Sequence, residues 1–137
     1  MFIIKRLISP YTEADIIISI ASTPALAENI RREYIDLCKV NDKWGDQAYR
    51  EVNLDEDVIL QDISTELIID SSYPTDLIYV VSLFEEGFGQ IDRTFHCFTN
   101  SESKANNEME KLELLENTFP SWSEVEKIQV DRPDFNK

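Results

Sequence analysis

The chain has 137 residues, 42% of them apolar and 10% aromatic, with 27 acidic against 13 Lys and Arg side chains and a formal charge of −14. That apolar content supplies one ordinary core and excludes an extended acidic tail, while three glycines and five prolines exclude a long linker or low-complexity stretch. The charge is therefore expected on the surface of a single folded domain spanning 1–137.

Residues 2–9 read as a first strand. Lys5 and Arg6 interrupt its apolar run, which is unlike a signal peptide. No apolar run approaches the roughly 20 residues that cross a bilayer, so a soluble cytoplasmic protein is expected, with no membrane partner. A turn region over 10–15 leads to a second strand at 16–21, Ile-Ile-Ile-Ser-Ile-Ala, whose near-continuous apolarity predicts burial on both faces. Ser22-Thr23-Pro24 starts a helix, with a hydroxyl cap and proline in the first turn. Leu26, Ala27, Ile30, Tyr34, Leu37 and Cys38 recur at helical spacing and predict its buried face. The helix should end near Val40-Asn41.

Residues 44–76 connect this half to the next and should add strands around Asp57–Ile63 and Glu66–Asp70. The grammar then repeats. Residues 77–84 predict a strand, Glu85 to Gly89 a turn whose glycines can take positive φ, and 90–98 a second strand. Asn100-Ser101 caps a helix with Glu102 in its first turn, where a carboxylate suits the dipole. Ala105, Met109 and Leu112, continued by Leu115 and Phe119, mark its apolar face. A last short strand is expected at Val125–Val130. Ile20 and Phe98, Ser22 and Asn100, and Ala27 and Ala105 all stand 78 residues apart. The expected fold is α+β: an antiparallel or mixed sheet with two helices packed on one face. It is built from two strand–strand–helix units, in halves of about 1–43 and 77–119.

Charge is unevenly spread. Residues 1–43 hold six acids and six bases, and are neutral. Between Lys43 and Arg93 there is one base, Arg50, against twelve acids: Asp46, Glu51, Asp55, Glu56, Asp57, Asp62, Glu66, Asp70, Asp76, Glu85, Glu86 and Asp92. Such concentration repels itself in a compact chain, and a basic protein partner is the simplest reason to keep it; solubility alone is the competing reading. The expected binding residues are Asp55, Glu56, Asp57, Asp62, Glu66 and Asp70, extended by Asp76, Glu85 and Glu86, crowded along one rim of the sheet. Trp44, Tyr49 and Tyr73 among them are either interface anchors or core residues of the rim.

No reaction chemistry is legible. Counted from Asn53 as the first position of a calcium loop, the sixth is Val58 and the twelfth Ser64, where glycine and glutamate are needed. Asp55-Glu56-Asp57 is then a solvated turn. His96 and Cys97 are neighbours on a strand, so their side chains should point to opposite faces and form no nucleophile–base pair. One histidine and two cysteines do not make a zinc site, and Cys38 and Cys97 are expected as small buried hydrophobes. With so many carboxylates, acid–base pairs would arise by chance. Gly87-Phe88-Gly89 opens a strand and has no lysine, unlike a phosphate cradle. Nucleic acid is disfavoured as a direct ligand because phosphate contacts need Lys and Arg. No catalytic residue, metal or cofactor is expected, and like-charged faces favour a monomer.

Small size, one domain, strong acidity and the absence of an export signal or catalytic signature resemble the bacterial immunity proteins. The resemblance implies a protein that neutralises a toxin, often a nuclease whose active site is basic. It carries over no functional residue. A phage-type inhibitor that mimics DNA is the alternative within the binding class, and a small enzyme or enzyme subunit is the alternative outside it.

Overall fold

A computed structural model describes residues 1–8, 14–40, 53–115 and 120–135. Within them the chain is a mixed α+β protein with two sheets and three helices. In the first sheet, β1 (Phe2–Arg6) lies between β2 (Ile16–Ala21) and β3 (Val58–Asp62), antiparallel to both. The second sheet has β4 (Leu67–Ile68), β5 (Leu77–Gly87), β6 (Gln90–Thr99) and β7 (Ser121–Gln129) in the order β4-β6-β5-β7. Its only parallel pair is β4 with β6. The helices are α1 (Pro24–Val40), the one-turn α2 (Leu54–Asp57) and α3 (Glu102–Glu113).

Three buried layers hold these elements together. Ile4, Ile18, Ala27, Ile30, Tyr34 and Val58 join α1 to the outer face of the first sheet. Tyr79, Val81, Cys97, Ala105 and Leu112 join α3 to the outer face of the second. Between the two sheets lie Ile3, Ile17, Ile20, Ile63, Ile78, Val80, Phe98, Ile128 and Val130. Alternate residues of β1 and β5 therefore point into different cores, Ile3 and Ile4 in one strand, Val80 and Val81 in the other. Each such fully buried isoleucine or valine contributes about 1.5–3 kcal/mol relative to exposure.

This arrangement corrects the expectation of one sheet with helices on one face. A sheet covered on one side alternates apolar and polar residues, whereas Ile-Ile-Ile-Ser-Ile-Ala and Ile-Tyr-Val-Val are apolar on both faces. A second sheet covers what a single layer of helices could not. The third helix, α2, was not expected at all.

Both long hairpins carry one irregularity. Ile4 faces Ser19 but Lys5 faces Ile17, so Ile18 is an extra residue in β2. Val81 faces Cys97 but Ser82 faces Phe95, so His96 is an extra residue in β6. Such a bulge lets two consecutive side chains share a face. The β5–β6 turn is Phe88-Gly89, with φ of 53° and 76°, the pattern of a two-residue type I′ turn. Glu85 and Glu86, expected in that turn, instead belong to β5.

The helix starts follow the sequence with one shift. Thr23 Oγ1 accepts from the Leu26 N–H, and Ser101 Oγ accepts from the Lys104 N–H. In α1 the buried face is Ala27, Ile30, Tyr34, Ile35 and Cys38, while Leu37 is half exposed. Leu115 lies beyond the end of α3 and is exposed. Phe119 falls outside the described residues. β7 begins at Ser121, earlier than its apolar residues suggest, because Ser-Trp-Ser-Glu pairs with residues 82–85 of β5.

Candidate functional site

Arg6, Arg31 and Arg93 are turned into the fold, whereas most of the described central acids are exposed. Arg6 is 2% exposed, and its Nη1 donates to the Tyr34 hydroxyl at 3.4 Å. Arg31 donates from Nε to the Val58 carbonyl at 2.7 Å, and from Nη2 to the Asp55 carbonyl at 2.7 Å. It also bonds Glu28, as does Arg32. Arg93 donates to Ser82 Oγ, the Asp15 carbonyl and Glu126. Lys104 and Lys111 both reach Glu108.

Against this, Glu56, Asp62, Glu66, Asp70, Asp76, Glu86 and Asp92 are exposed, and none meets a lysine or arginine side chain among the described residues. Glu85 is half buried and likewise has no such partner among them.

These acids do not form one rim. α2 delivers Asp55 and Glu56 to the start of β3, and Asp62 stands at its other end. Five strand residues separate the two by roughly 16 Å. Glu66, Asp70, Tyr73 and Asp76 lie on the connection from β3 to β5, at Asp62's end of the molecule. Glu85, Glu86 and Asp92 lie at the far end of the β5–β6 hairpin. The carboxylates thus occupy both poles of the sandwich, because β3 crosses it between the two acidic segments.

Individual predicted residues fare differently. Asp57 is 5% exposed and receives the Asn53 N–H at 3.3 Å, so it holds α2 in place and is withdrawn from the surface. Asp55 is paired with Arg32 at 3.5 Å. Asp62 accepts from both the hydroxyl and the N–H of Ser64, which with the nearby N-terminal amine hold its carboxyl below the usual range. Asp70 accepts the Ser72 N–H. Tyr73 is half exposed, as are Ile68, in β4, and Ile69 beside it. Trp44 and Tyr49 fall outside the described residues.

Asn100 is not a helix cap. It is 4% exposed, and its Nδ2 donates to the carbonyls of Asp70, Tyr73 and Pro74 while its Oδ1 accepts the Asp70 N–H. The side chain pins the acidic 70–74 connection to the end of β6. Ser22, which also precedes a cap, ties a distant turn through both oxygens of Asp131.

His96 and Cys97 share a face, contrary to the alternation expected of a regular strand. The bulge turns both toward α3, where His96 Nε2 lies 3.0 Å from Glu108 and Cys97 sits in the core. Burial, with the Glu108 charge, pushes the Cys97 thiol up, which opposes thiolate reactivity. Glu108 is held down to about 2 by Lys104, Lys111 and His96. Its stabilisation is therefore complete above its ordinary value of 4.5 and is lost as pH falls toward 2. Because the lysines are solvent-exposed, the effect is on the order of 1 kcal/mol. Glu108→Gln should lower the urea midpoint relative to the parent at pH 7, and the gap should close near pH 2.

Recesses lined by described residues include the following two. One, of about 290 Å³, is lined by Leu7, Ile8, Asp15, Ile91, Asp92 and Arg93. The other, of about 270 Å³, lies between α3 and β7 beside Leu112, Leu115 and Trp122. In the first, burial raises the Asp15 carboxyl, opposed by the Ile8 N–H and by the charges of Lys5 and Arg93. Neither recess brings together a nucleophile, a base and an orienting group. Among the described residues no three His, Cys, Asp or Glu side chains are grouped to hold a metal, and no helix is long and apolar enough to cross a membrane. No family model, no curated protein and no solved structure matches this chain.

Proposed function

We propose that this protein binds and neutralises a basic protein, and that the partner is a toxin domain of the nuclease type, as for an immunity protein of the cytoplasm. One observation carries the reading: Glu56, Asp62, Glu66, Asp70, Asp76, Glu85, Glu86 and Asp92 meet no lysine or arginine side chain among the described residues, while Arg6, Arg31 and Arg93 are committed within the fold. A surface arranged this way projects a negative field over both poles. It would steer a basic cleft into contact and raise the association rate by about one to three orders of magnitude.

The strand–strand–helix repeat belongs to this proposal and is supported by more than spacing. The two bulges fall at Ile18 and His96, again 78 residues apart. Ala27 and Ala105 occupy the same fully buried place under their helices. Each hairpin also has an antiparallel third strand on its first member, β3 beside β1 and β7 beside β5. The repeated unit is then strand–strand–helix–strand. Most of the described central acids sit on two segments that this frame does not require, 53–57 and 63–76, or at the hairpin end. Connections on a rigid frame are where binding residues concentrate.

The test uses the proteins of the native cell that a cation exchanger retains. Nuclease activity in that fraction should be suppressed by the chain at stoichiometric amounts and not by polyglutamate. Suppression of DNA binding without any nuclease would point to the DNA mimic. A chain that suppresses neither, yet turns over a substrate, would be the small enzyme.

A further inference from the structure

The β5–β6 hairpin tip carries three unfavourable features at once. Phe88 is 87% exposed. It holds a φ of 53°, a left-handed backbone that bulky side chains seldom adopt and that asparagine or glycine would adopt readily. Behind it Glu85 stands directly across from Asp92, a like-charge pair on facing strand positions, with Glu86 exposed beside them. The three acids meet no lysine or arginine side chain among the described residues. The nearby guanidinium of Arg93 is turned toward Ser82, Asp15 and Glu126. Asn-Gly would close the same turn, and a lysine would relieve the same like-charge pair.

We infer that this tip is the element that enters the partner: the Phe88 ring fills an apolar recess in a basic protein, and Glu85, Glu86 and Asp92 meet lysine or arginine side chains around its mouth. The inference rests on the proposed binding of a basic protein and adds where the contact is made. An aromatic anchor surrounded by complementary charge is the usual form of an interface hot spot. The occupant follows from the charge: three carboxylates within a few residues of an exposed ring repel an acidic partner and a membrane of anionic lipid. The features that cost stability in the isolated chain become contacts in the complex.

The experiment places benzoylphenylalanine at residue 88, and separately at Val40, which is equally exposed at 88%, and at Tyr73 on the other acidic connection. Each full-length chain is irradiated in the native cell and the adducts are identified by mass spectrometry. The expected result is an adduct with one basic protein from position 88 and none from Val40. Glu85→Lys with Glu86→Lys should reduce its yield at least about ten-fold. In parallel, Phe88→Asn should raise the melting temperature by about 3 °C, because it relieves the backbone while the variant loses the partner. Adducts with a basic protein only from Tyr73 or Val40 would overturn the tip as the contact and leave the binding proposal standing. Absence of any adduct, or adducts with acidic proteins alone, would overturn both. A Phe88→Asn chain less stable than the parent would overturn the strain argument.

Discussion

Replacing Arg93 by alanine lowers the unfolding free energy by about 3 kcal/mol. The side chain is 7% exposed and reaches three parts of the fold beyond its own strand. Nε donates to Ser82 Oγ in β5 at 2.9 Å, Nη1 to the Asp15 carbonyl ahead of β2 at 3.0 Å, and Nη2 to Glu126 in β7 at 3.3 Å. The guanidinium also lies 5.0 Å from the Phe84 ring centre and 4.8 Å from that of Phe95. It therefore ties the first sheet to the second through one planar group. Alanine would leave a cavity between the rings and strand the Ser82 hydroxyl and the Asp15 carbonyl. Glu126 is partly exposed and can turn to water, which keeps the loss at the lower end for a broken buried pair. Arg93→Lys should recover less than half, because one ammonium cannot serve three acceptors in the fork geometry. Urea unfolding of the three proteins checks the order.

Asn100→Ala should cost about 2–3 kcal/mol, and its effect should be concentrated in one place. Four hydrogen bonds from one nearly buried amide hold the 70–74 connection. Removing them leaves three carbonyls and the Asp70 N–H to be met by water. Amide exchange at Asp70 should accelerate far more than exchange in β5. Asn100→Asp is the sharper control. A carboxylate cannot donate to the carbonyls, and it would add a charge beside Asp70, so at pH 7 it should be no more stable than alanine.

Much of the frame was legible because its signals are local. Thr23-Pro24 and Ser101-Glu102 announce helix starts by their own chemistry, and Ala27 and Ala105 mark the faces that approach the sheets. The bulges were not legible, since an extra residue in a strand changes no composition. One such residue reversed the expectation for His96 and Cys97. Leu37 was assigned inward on hydropathy, yet its angle on α1 places Ile35 there instead. The second sheet was visible only as strands apolar on both faces, a pattern that does not say what covers them.

The acidic surface was read correctly in composition and wrongly in place. Charge counts along the chain cannot reveal that β3 carries one acidic segment to each pole, or that Asp57 turns inward while Asp55 pairs with Arg32. The largest omission was Phe88. It looked like part of a glycine turn, and only its φ and exposure distinguish it.

The most direct test of the central claim is affinity capture by the tagged full-length chain from nuclease-treated lysate of the native cell, washed first at low and then at high salt. The account predicts one basic protein retained at low salt and weakened at high salt, with an activity that the purified chain suppresses. Retention of nothing at either salt, or of a partner indifferent to salt, would contradict it and leave the charge as a means of staying in solution.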